Sequence, residues 1–127
     1  MKAPTDIMIV DDFLEDRFFL SHLLSSLFDN PQITEFAYAE DALDHLKTNP
    51  TAAYDLLFVD INMLRMNGFE FADTYLSLLP EGQPAGKLFL VSGTFDPNDE
   101  ARAHDREGVA GFIKKPVTRE TLAAIIG

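Results

Sequence analysis

The sequence predicts one α/β domain in which a mostly parallel, five-stranded sheet is covered by helices. Short apolar runs alternate with helical patterns along all 127 residues, and no repeat or long linker divides the chain. Hydrophobic residues make up 46% of the chain, which argues against intrinsic disorder. A chain of this length typically folds as a single unit, so we expect residues 1–127 to form one domain.

The first half of the chain alternates three strands with two helices. Residues 7–10 form a short run rich in β-branched side chains, typical of a strand that is buried on both faces. Apolar residues then recur at helical spacing over residues 13–28, until an Asp-Asn-Pro turn ends the pattern. A strand over 33–39, a short helix over 41–47 that ends before a proline, and an apolar strand over 54–59 follow.

The second half continues the same alternation. A helix over 68–79 ends at a proline, and an apolar strand over 88–91 follows a glycine-containing loop. A proline in its first turn favours a helix over 97–107. The last strand covers 110–114, and Thr118 is positioned to cap a short final helix.

Composition limits the classes of function. The chain has 21 acidic and 10 basic residues and a formal net charge of −11, which disfavours direct binding to nucleic acids and favours cations and basic partner surfaces. It has no cysteine, which excludes disulfides, thiolate catalysis and cysteine-based metal sites. No apolar run approaches the length of a membrane span or resembles a signal peptide, so we expect a cytoplasmic protein without membrane attachment.

Polar residues stand where four of the predicted strands end: Asp11-Asp12, Asp60, Ser92 and Lys115. Ligands of open α/β sheets bind beyond these carboxyl ends. Three carboxylates meeting there would repel one another unless a divalent cation lay among them, and an all-oxygen ligand set favours Mg²⁺. A hydroxyl and an ammonium group beside them complete a pocket suited to a phosphoryl group, with one carboxylate as the nucleophile.

Together these motifs resemble the receiver domains of response regulators in two-component signalling. Residues 7–12 resemble the family's first strand and acidic pair, and 56–63 with Asn67-Gly68 resemble its phosphoacceptor strand and loop. Residues 91–93 resemble its hydroxyl position, and 111–116 its last strand with an aromatic residue, a lysine and a proline. The resemblance covers essentially the whole chain and implies a doubly wound, flavodoxin-like (βα)5 fold with strand order 2-1-3-4-5.

By this resemblance Asp60 is the phosphoacceptor, and Ser92 and Lys115 bind the phosphoryl oxygens. Lys114 is the competing lysine, but the family places its lysine directly before the proline, which favours Lys115. The peptide bond after Lys115 is expected to be cis. Ser92 and Phe112 match the family's switch pair, although an ordinary core role for Phe112 is an equally good interpretation.

The resemblance also implies a bound Mg²⁺ ion. Asp12 and Asp60 would bind it directly, the backbone carbonyl of Asn62 would be the third protein ligand, and Asp11 would act mainly through metal-bound water. One position departs from the family pattern, because Leu64 stands where a proline is usual. We therefore expect the loop after Asp60 to be more mobile or to turn differently.

The implied function is signalling, not the conversion of another substrate. The domain would catalyse only its own phosphorylation, from a histidine kinase or a histidine phosphotransfer protein, and its own dephosphorylation. Phosphorylation would change a protein-interaction surface near the fourth helix, fifth strand and fifth helix, where an unidentified protein target binds. Homodimerisation through that face stays open, as does whether the chain is a natural single-domain regulator or part of a longer protein.

Two alternative functions are possible for such a fold. In the first, the fold is an interaction module that works without phosphorylation, but the joint presence of Asp12, Asp60, Ser92 and Lys115 favours a working pocket. In the second, the protein is a Mg²⁺-dependent phosphatase with an aspartate nucleophile. Such an enzyme needs a second carboxylate two residues after the nucleophile, where this chain has Asn62.

The remaining conspicuous side chains have simpler interpretations. Asp16 could extend the acidic cleft, but its place one turn into the first helix favours a side chain that faces solvent. The cluster of Phe13, Phe18 and Phe19 is expected to supply core residues with one exposed ring. The histidines lie on separate predicted helices and are expected on helix surfaces; they are His22, His45 and His104.

Overall fold

A computed structural model describes residues 6–49, 53–82, 85–94 and 96–126. Strands and helices alternate along the chain as predicted. In order they are β1 (Asp6–Val10), α1 (Leu14–Leu27), β2 (Gln32–Phe36), α2 (Ala39–Thr48), β3 (Leu56–Asp60), α3 (Gly68–Leu78), β4 (Lys87–Ser92), α4 (Pro97–His104), β5 (Val109–Lys114) and α5 (Arg119–Ile126).

The strands form one five-stranded sheet in the order β2-β1-β3-β4-β5. Every neighbouring pair is parallel, which confirms the predicted fold class and strand order. Because all strands run the same way, their carboxyl ends lie along one edge of the sheet. That edge carries the polar residues singled out in the sequence.

Helices cover both faces of the sheet. Alternate side chains of the inner strands enter opposite layers, so that Ile9 and Phe58 pack with residues of α1 and α5. Val10 and Val59 pack on the other face with residues of α2, α3 and α4. Burial on both faces explains why these strands appear in the sequence as unbroken apolar runs.

The ends of β2 and α4 differ from the prediction by three residues, and the other predicted boundaries differ by two or fewer. The second strand ends at Phe36 instead of residue 39, because it lies at the sheet edge and its only partner strand ends at Val10, opposite Phe36. The next helix accordingly begins at Ala39, two residues early. The fourth helix ends at His104 instead of residue 107, because the chain turns there and places Arg106 against α3, where it binds Asp73.

Two local features at the carboxyl edge agree with the sequence. The Lys115–Pro116 peptide bond is cis, as expected. Thr118 caps α5, since its Oγ1 accepts a hydrogen bond from the Thr121 N–H at 3.1 Å. Gly68 begins α3 so close to β3 that a Cβ atom there would lie 2.6 Å from the carbonyl oxygen of Asp60.

In the part of the chain that the structure describes, no helix combines the length and apolar content needed to cross a bilayer.

Candidate functional site

Three carboxylates converge where β1 and β3 end. The two strands are paired up to Val10 and Val59, so Asp11 and Asp60 follow at neighbouring positions of the edge. One carboxylate oxygen from each of Asp11, Asp12 and Asp60 lies within 4.8 Å of the others. Asp11 and Asp60 are buried and Asp12 is partly exposed. Oxygen donors at this spacing fit a hard divalent cation such as Mg²⁺.

The turn between β1 and α1 fixes Asp11. Its Oδ1 accepts a hydrogen bond from the Phe13 N–H at 2.9 Å, and its own N–H donates to the Phe36 carbonyl at 3.0 Å. Arg17 Nη1 donates to the Asp11 carbonyl at 2.6 Å, while Arg17 Nε binds Glu35 Oε1 at 3.3 Å. Asp11 is therefore held at both its backbone and its side chain, without use of its second carboxylate oxygen.

That second oxygen binds Lys115. Lys115 Nζ donates to Asp11 Oδ2 at 3.0 Å and to Asp16 Oδ2 at 2.6 Å, and lies 3.7 Å from Asp60 Oδ1. The expectation that Asp16 faces solvent is therefore wrong. Asp16 lies four residues before the buried Leu20, so both occupy the sheet-facing side of α1. This four-residue spacing is visible in the sequence and could have identified Asp16 as a residue of the pocket.

Burial and charge shift the protonation of this group. Burial, together with the neighbouring charge of Asp11, raises the pKa of Asp60 to about 7. Burial also raises the pKa of Asp11, although the Phe13 N–H and the Lys115 ammonium oppose the shift. Burial alone would lower the pKa of Lys115, but the hydrogen bond to Asp16 and the charges of Asp60 and Asp11 outweigh it and raise that pKa. A cation among the carboxylates would favour their ionised forms.

Ser92 opens a second group of contacts, built on hydroxyl groups, at the end of β4. Its side chain is buried, and its Oγ lies 3.0 Å from Thr94 Oγ1. Thr94 Oγ1 donates to Asp99 Oδ2 at 3.2 Å, and the Thr94 N–H donates to Ser92 Oγ at 3.2 Å. Because the threonine proton points to Asp99, the serine hydroxyl donates to Thr94. Asp99, which is buried on α4, was not predicted from the sequence.

The other predicted site residues lie around this edge. The backbone N–H of Asn62 donates to the Asp60 carboxylate, and the Asn62 side chain is exposed. Phe112 is partly buried opposite Leu90 of β4 and lines a cleft with residues of α4. Lys114 is exposed at the end of β5, opposite Ser92. The roles given above to Asn62 and Phe112 remain predictions.

The loop after Asp60 turns at Arg65, which has a left-handed φ of 68°. Arg65 Nε lies 3.2 Å from Glu40 Oε2, and the guanidinium lies 4.6 Å from the centre of the Tyr38 ring. The loop is therefore tied to the start of α2 although it lacks the usual proline, and Leu64 points into solvent.

An apolar surface adjoins the carboxylates on α1. Phe13, Leu14, Phe18 and Phe19 are each between 50% and 72% exposed, and we call these four residues the α1 patch. The expectation that most of the phenylalanine cluster is core is wrong. Leu20 and Leu24 set the buried side of α1, and Phe18 points about 200° away from Leu20 at roughly 100° per residue.

Comparison with known proteins places these features in a family. A sequence model described as "Response regulator receiver domain" matches residues 7–127. The chain is 32% identical over 80 residues to protein-glutamate methylesterase/protein-glutamine glutaminase 1 of Rhizobium johnstonii. The aligned region covers 63% of this chain and 22% of that protein. It is 29% identical over 119 residues to the cyclic di-GMP phosphodiesterase response regulator RpfG of Xanthomonas campestris, over 94% of this chain and 30% of that protein.

The chain thus spans less than a third of the length of these curated relatives. Among solved structures it resembles the response regulator receiver domain (CheY-like) from Methylobacillus flagellatus. That comparison has a TM-score of 0.78 and 26% identity, over 96% of this chain and 95% of the other.

Proposed function

Because the chain belongs to the response regulator receiver domain family, we propose that Asp60 accepts a phosphoryl group from a histidine kinase or a histidine phosphotransfer protein. Members of this family are signalling domains of two-component systems. In the proposed step a carboxylate oxygen of Asp60 bonds to phosphorus while the phosphorus–nitrogen bond of the donor phosphohistidine breaks. The imidazole leaves and takes up a proton, and an acyl phosphate forms on Asp60.

The observation that carries this proposal is the surroundings of Asp60. The carboxylate is buried, lies 3.7 Å from the Lys115 ammonium and shares an edge with two further carboxylates. A partly buried ammonium at that distance is able to neutralise charge on a transferred phosphoryl group. Ser92 lies at the end of the adjacent strand. Its hydroxyl would donate a hydrogen bond to a phosphoryl oxygen after its hydrogen bond with Thr94 is broken.

We assign the cation site to the same carboxylates. Asp12, Asp60 and the backbone carbonyl of Asn62 would hold Mg²⁺ directly, with Asp11 acting mainly through metal-bound water. When bound, the ion would supply positive charge to the phosphoryl oxygens. The protein's own contribution is to keep Asp11 and Asp60 fixed and desolvated at the strand ends.

The output of the proposed reaction is a change in a binding surface. Movement of Ser92 toward a phosphoryl group would break its contact with Thr94 and leave room beside Phe112, which lines the same cleft as Thr94. The surface formed by α4, β5 and α5 would then bind a protein target, and pairing of two copies through it is the alternative outcome. Net charge favours a basic target surface.

We further propose that the donor protein docks on the α1 patch. Phe19 lines the same pocket as Asp60 and Lys115, so a protein that delivers a phosphoryl group there must cover this side of α1. Acidic side chains of Glu15 and Asp16 flank the exposed rings. A donor with an apolar centre and a basic rim is complementary to this surface.

Intact mass after incubation with acetyl phosphate tests the phosphoacceptor. We expect one phosphoryl addition with Mg²⁺, none with excess chelator and none for Asp60→Asn. Asp44→Asn, which neutralises an exposed carboxylate on α2, is the matched control and should be phosphorylated like the wild type. No addition and no binding of beryllofluoride would favour the module that works without phosphorylation.

Comparison of two donors tests the docking surface. Phe18→Ala should slow phosphorylation by a phosphotransfer protein that is active on the wild-type chain, because it removes an exposed ring from the α1 patch. The same variant should react with acetyl phosphate at the wild-type rate, because a small donor does not need the patch. Equal rates with the protein donor would contradict docking on α1.

A further inference from the structure

Lys115 is held on the α1 side of the pocket. Of the three carboxylates around its ammonium, Asp16 is the nearest at 2.6 Å and Asp60 the farthest at 3.7 Å. An ammonium has three protons to donate, and two of them are directed to Asp16 and Asp11. The third proton remains for a phosphoryl oxygen on Asp60, but the ammonium that supplies it is already held and neutralised by two carboxylates.

Asp16 differs from the other carboxylates of the pocket. It comes from a helix instead of a strand end, and it is not part of the group of oxygens that converges within 4.8 Å. Its side chain is 39% exposed, against 19% for Lys115, so water can replace the ammonium on Asp16 at a small cost in free energy. Asp11, in contrast, is buried and also fixed by the Phe13 N–H.

We propose that Asp16 is a positioning residue that competes with the phosphoryl group of Asp60 for Lys115. This inference rests on the proposed function. In the unphosphorylated protein Asp16 keeps the ammonium toward α1, and movement of Nζ toward a phosphoryl group on Asp60 weakens this ion pair. Asp16 therefore weakens the pocket's affinity for a phosphoryl group and lowers the fraction of protein that is phosphorylated at a given donor concentration.

A direct binding experiment tests this role without a protein donor. Beryllofluoride, a phosphoryl analogue, is titrated at saturating Mg²⁺ into the wild type, Asp16→Asn and Glu15→Gln, and the bound signal is followed by ¹⁹F NMR. Asp16→Asn should bind about two- to fivefold more tightly, the range expected for loss of one partly exposed ion pair. Glu15→Gln removes the same charge from an exposed neighbouring position on α1 and should bind like the wild type.

Mg²⁺ affinity, measured without beryllofluoride, separates this role from metal binding. We expect Asp16→Asn and Glu15→Gln to bind Mg²⁺ within about twofold of each other, because Asp16 acts on the ammonium and not on the ion. A much larger loss of Mg²⁺ binding in Asp16→Asn alone would place Asp16 in the metal site and overturn the inference. Equal tightening of beryllofluoride binding in both variants would reduce it to a general charge effect and overturn it as well.

The two proposals fail in different ways. If the wild type binds no beryllofluoride, the proposed function falls and the inference falls with it. If the wild type binds and Asp16→Asn binds no more tightly, only the inference falls. Asp16→Ala provides a second variant in which no side-chain oxygen or amide replaces the carboxylate.

Discussion

Two clusters of polar contacts at the carboxyl edge of the sheet, which we call the charged wall and the hydroxyl wall, are built from different kinds of contact. On the charged wall, Lys115 binds carboxylates at the ends of β1 and β3 and on α1. On the hydroxyl wall, Ser92 and Thr94 form a chain of hydrogen bonds that ends at Asp99 of α4. The charged wall places an ammonium beside the Asp60 carboxylate, whereas the hydroxyl wall connects the end of β4 to α4.

We expect the charged wall to act in phosphoryl transfer and the hydroxyl wall to act in the change of the binding surface. Interactions of the charged wall change when a cation or a phosphoryl group arrives, because opposite charges at short range in a partly buried site interact strongly. A neutral hydroxyl hydrogen bond contributes less free energy than a close ion pair, but it depends more strongly on the direction of the donor and acceptor. Its hydroxyl therefore changes position mainly when its partner is replaced. We therefore expect substitutions in the charged wall to affect mainly the rate of phosphorylation, and substitutions in the hydroxyl wall to affect mainly α4.

The largest effect should come from Lys115→Ala. Loss of the ammonium removes the cation next to Asp60, and we expect the rate of phosphorylation by acetyl phosphate to fall by about 100-fold, as for loss of one preorganised donor in other active sites. The rate is followed by intact mass. Lys114→Ala is the matched control and should keep the wild-type rate; if it behaves like Lys115→Ala, the assignment of the phosphoryl-binding lysine is wrong.

The charged wall should also make stability depend on pH. The pKa of Asp60 rises from 3.8 to about 7 on folding, so between these values the folded state holds a proton that the unfolded state has released. In metal-free buffer this contribution to the free energy of unfolding is full below pH 4 and is lost as the pH rises through 7. Relative to Asp60→Asn, the wild type should lose about 2 kcal/mol or more over that range.

Urea unfolding at a series of pH values, with chelator present, measures this loss. Mg²⁺ added at pH 8 should restore stability to the wild type by mass action. Ser92→Ala, in the hydroxyl wall, should keep the wild-type pH dependence. Parallel profiles for the wild type and Asp60→Asn would contradict the raised pKa.

A smaller effect on rate is expected in the hydroxyl wall. Ser92→Ala removes the hydroxyl that we propose donates to the phosphoryl group, and we expect phosphorylation to slow by about tenfold, in keeping with one hydrogen bond. The measurement is the same mass assay. A loss as large as that of Lys115→Ala would remove the distinction between the two walls.

The smallest effect is expected for Thr94→Val, which keeps the side-chain shape but removes the hydroxyl between Ser92 and Asp99. The free energy of unfolding should fall by about 1 kcal/mol, because the buried Asp99 carboxylate loses a donor. The phosphorylation rate should stay within about twofold of the wild type. Amide hydrogen exchange should be faster in α4 and unchanged in α1; faster exchange in α1 would show that the two walls are not independent.

The sequence predicted the parts of the site that strands supply. Asp11, Asp60, Ser92 and Lys115 each follow an apolar run, and a parallel sheet brings such positions to one edge whatever the details of packing. The helical contributions were not predicted, because a residue's place around a helix depends on which side faces the sheet. Asp16 reaches Lys115 through the rotation of α1, which also exposes Phe18, and Asp99 reaches Thr94 through the rotation of α4.

Asp60 is the proposed acceptor of the phosphoryl group, and chemical trapping of the acyl phosphate is the most direct test of this assignment. The protein is phosphorylated with acetyl phosphate and Mg²⁺, reduced with borohydride, which converts an aspartyl phosphate to homoserine, and mapped by peptide mass spectrometry. We predict homoserine at position 60 and nowhere else. Homoserine at Asp11 or Asp12, or none in protein that has gained a phosphoryl mass, would contradict the assignment of Asp60 as the acceptor.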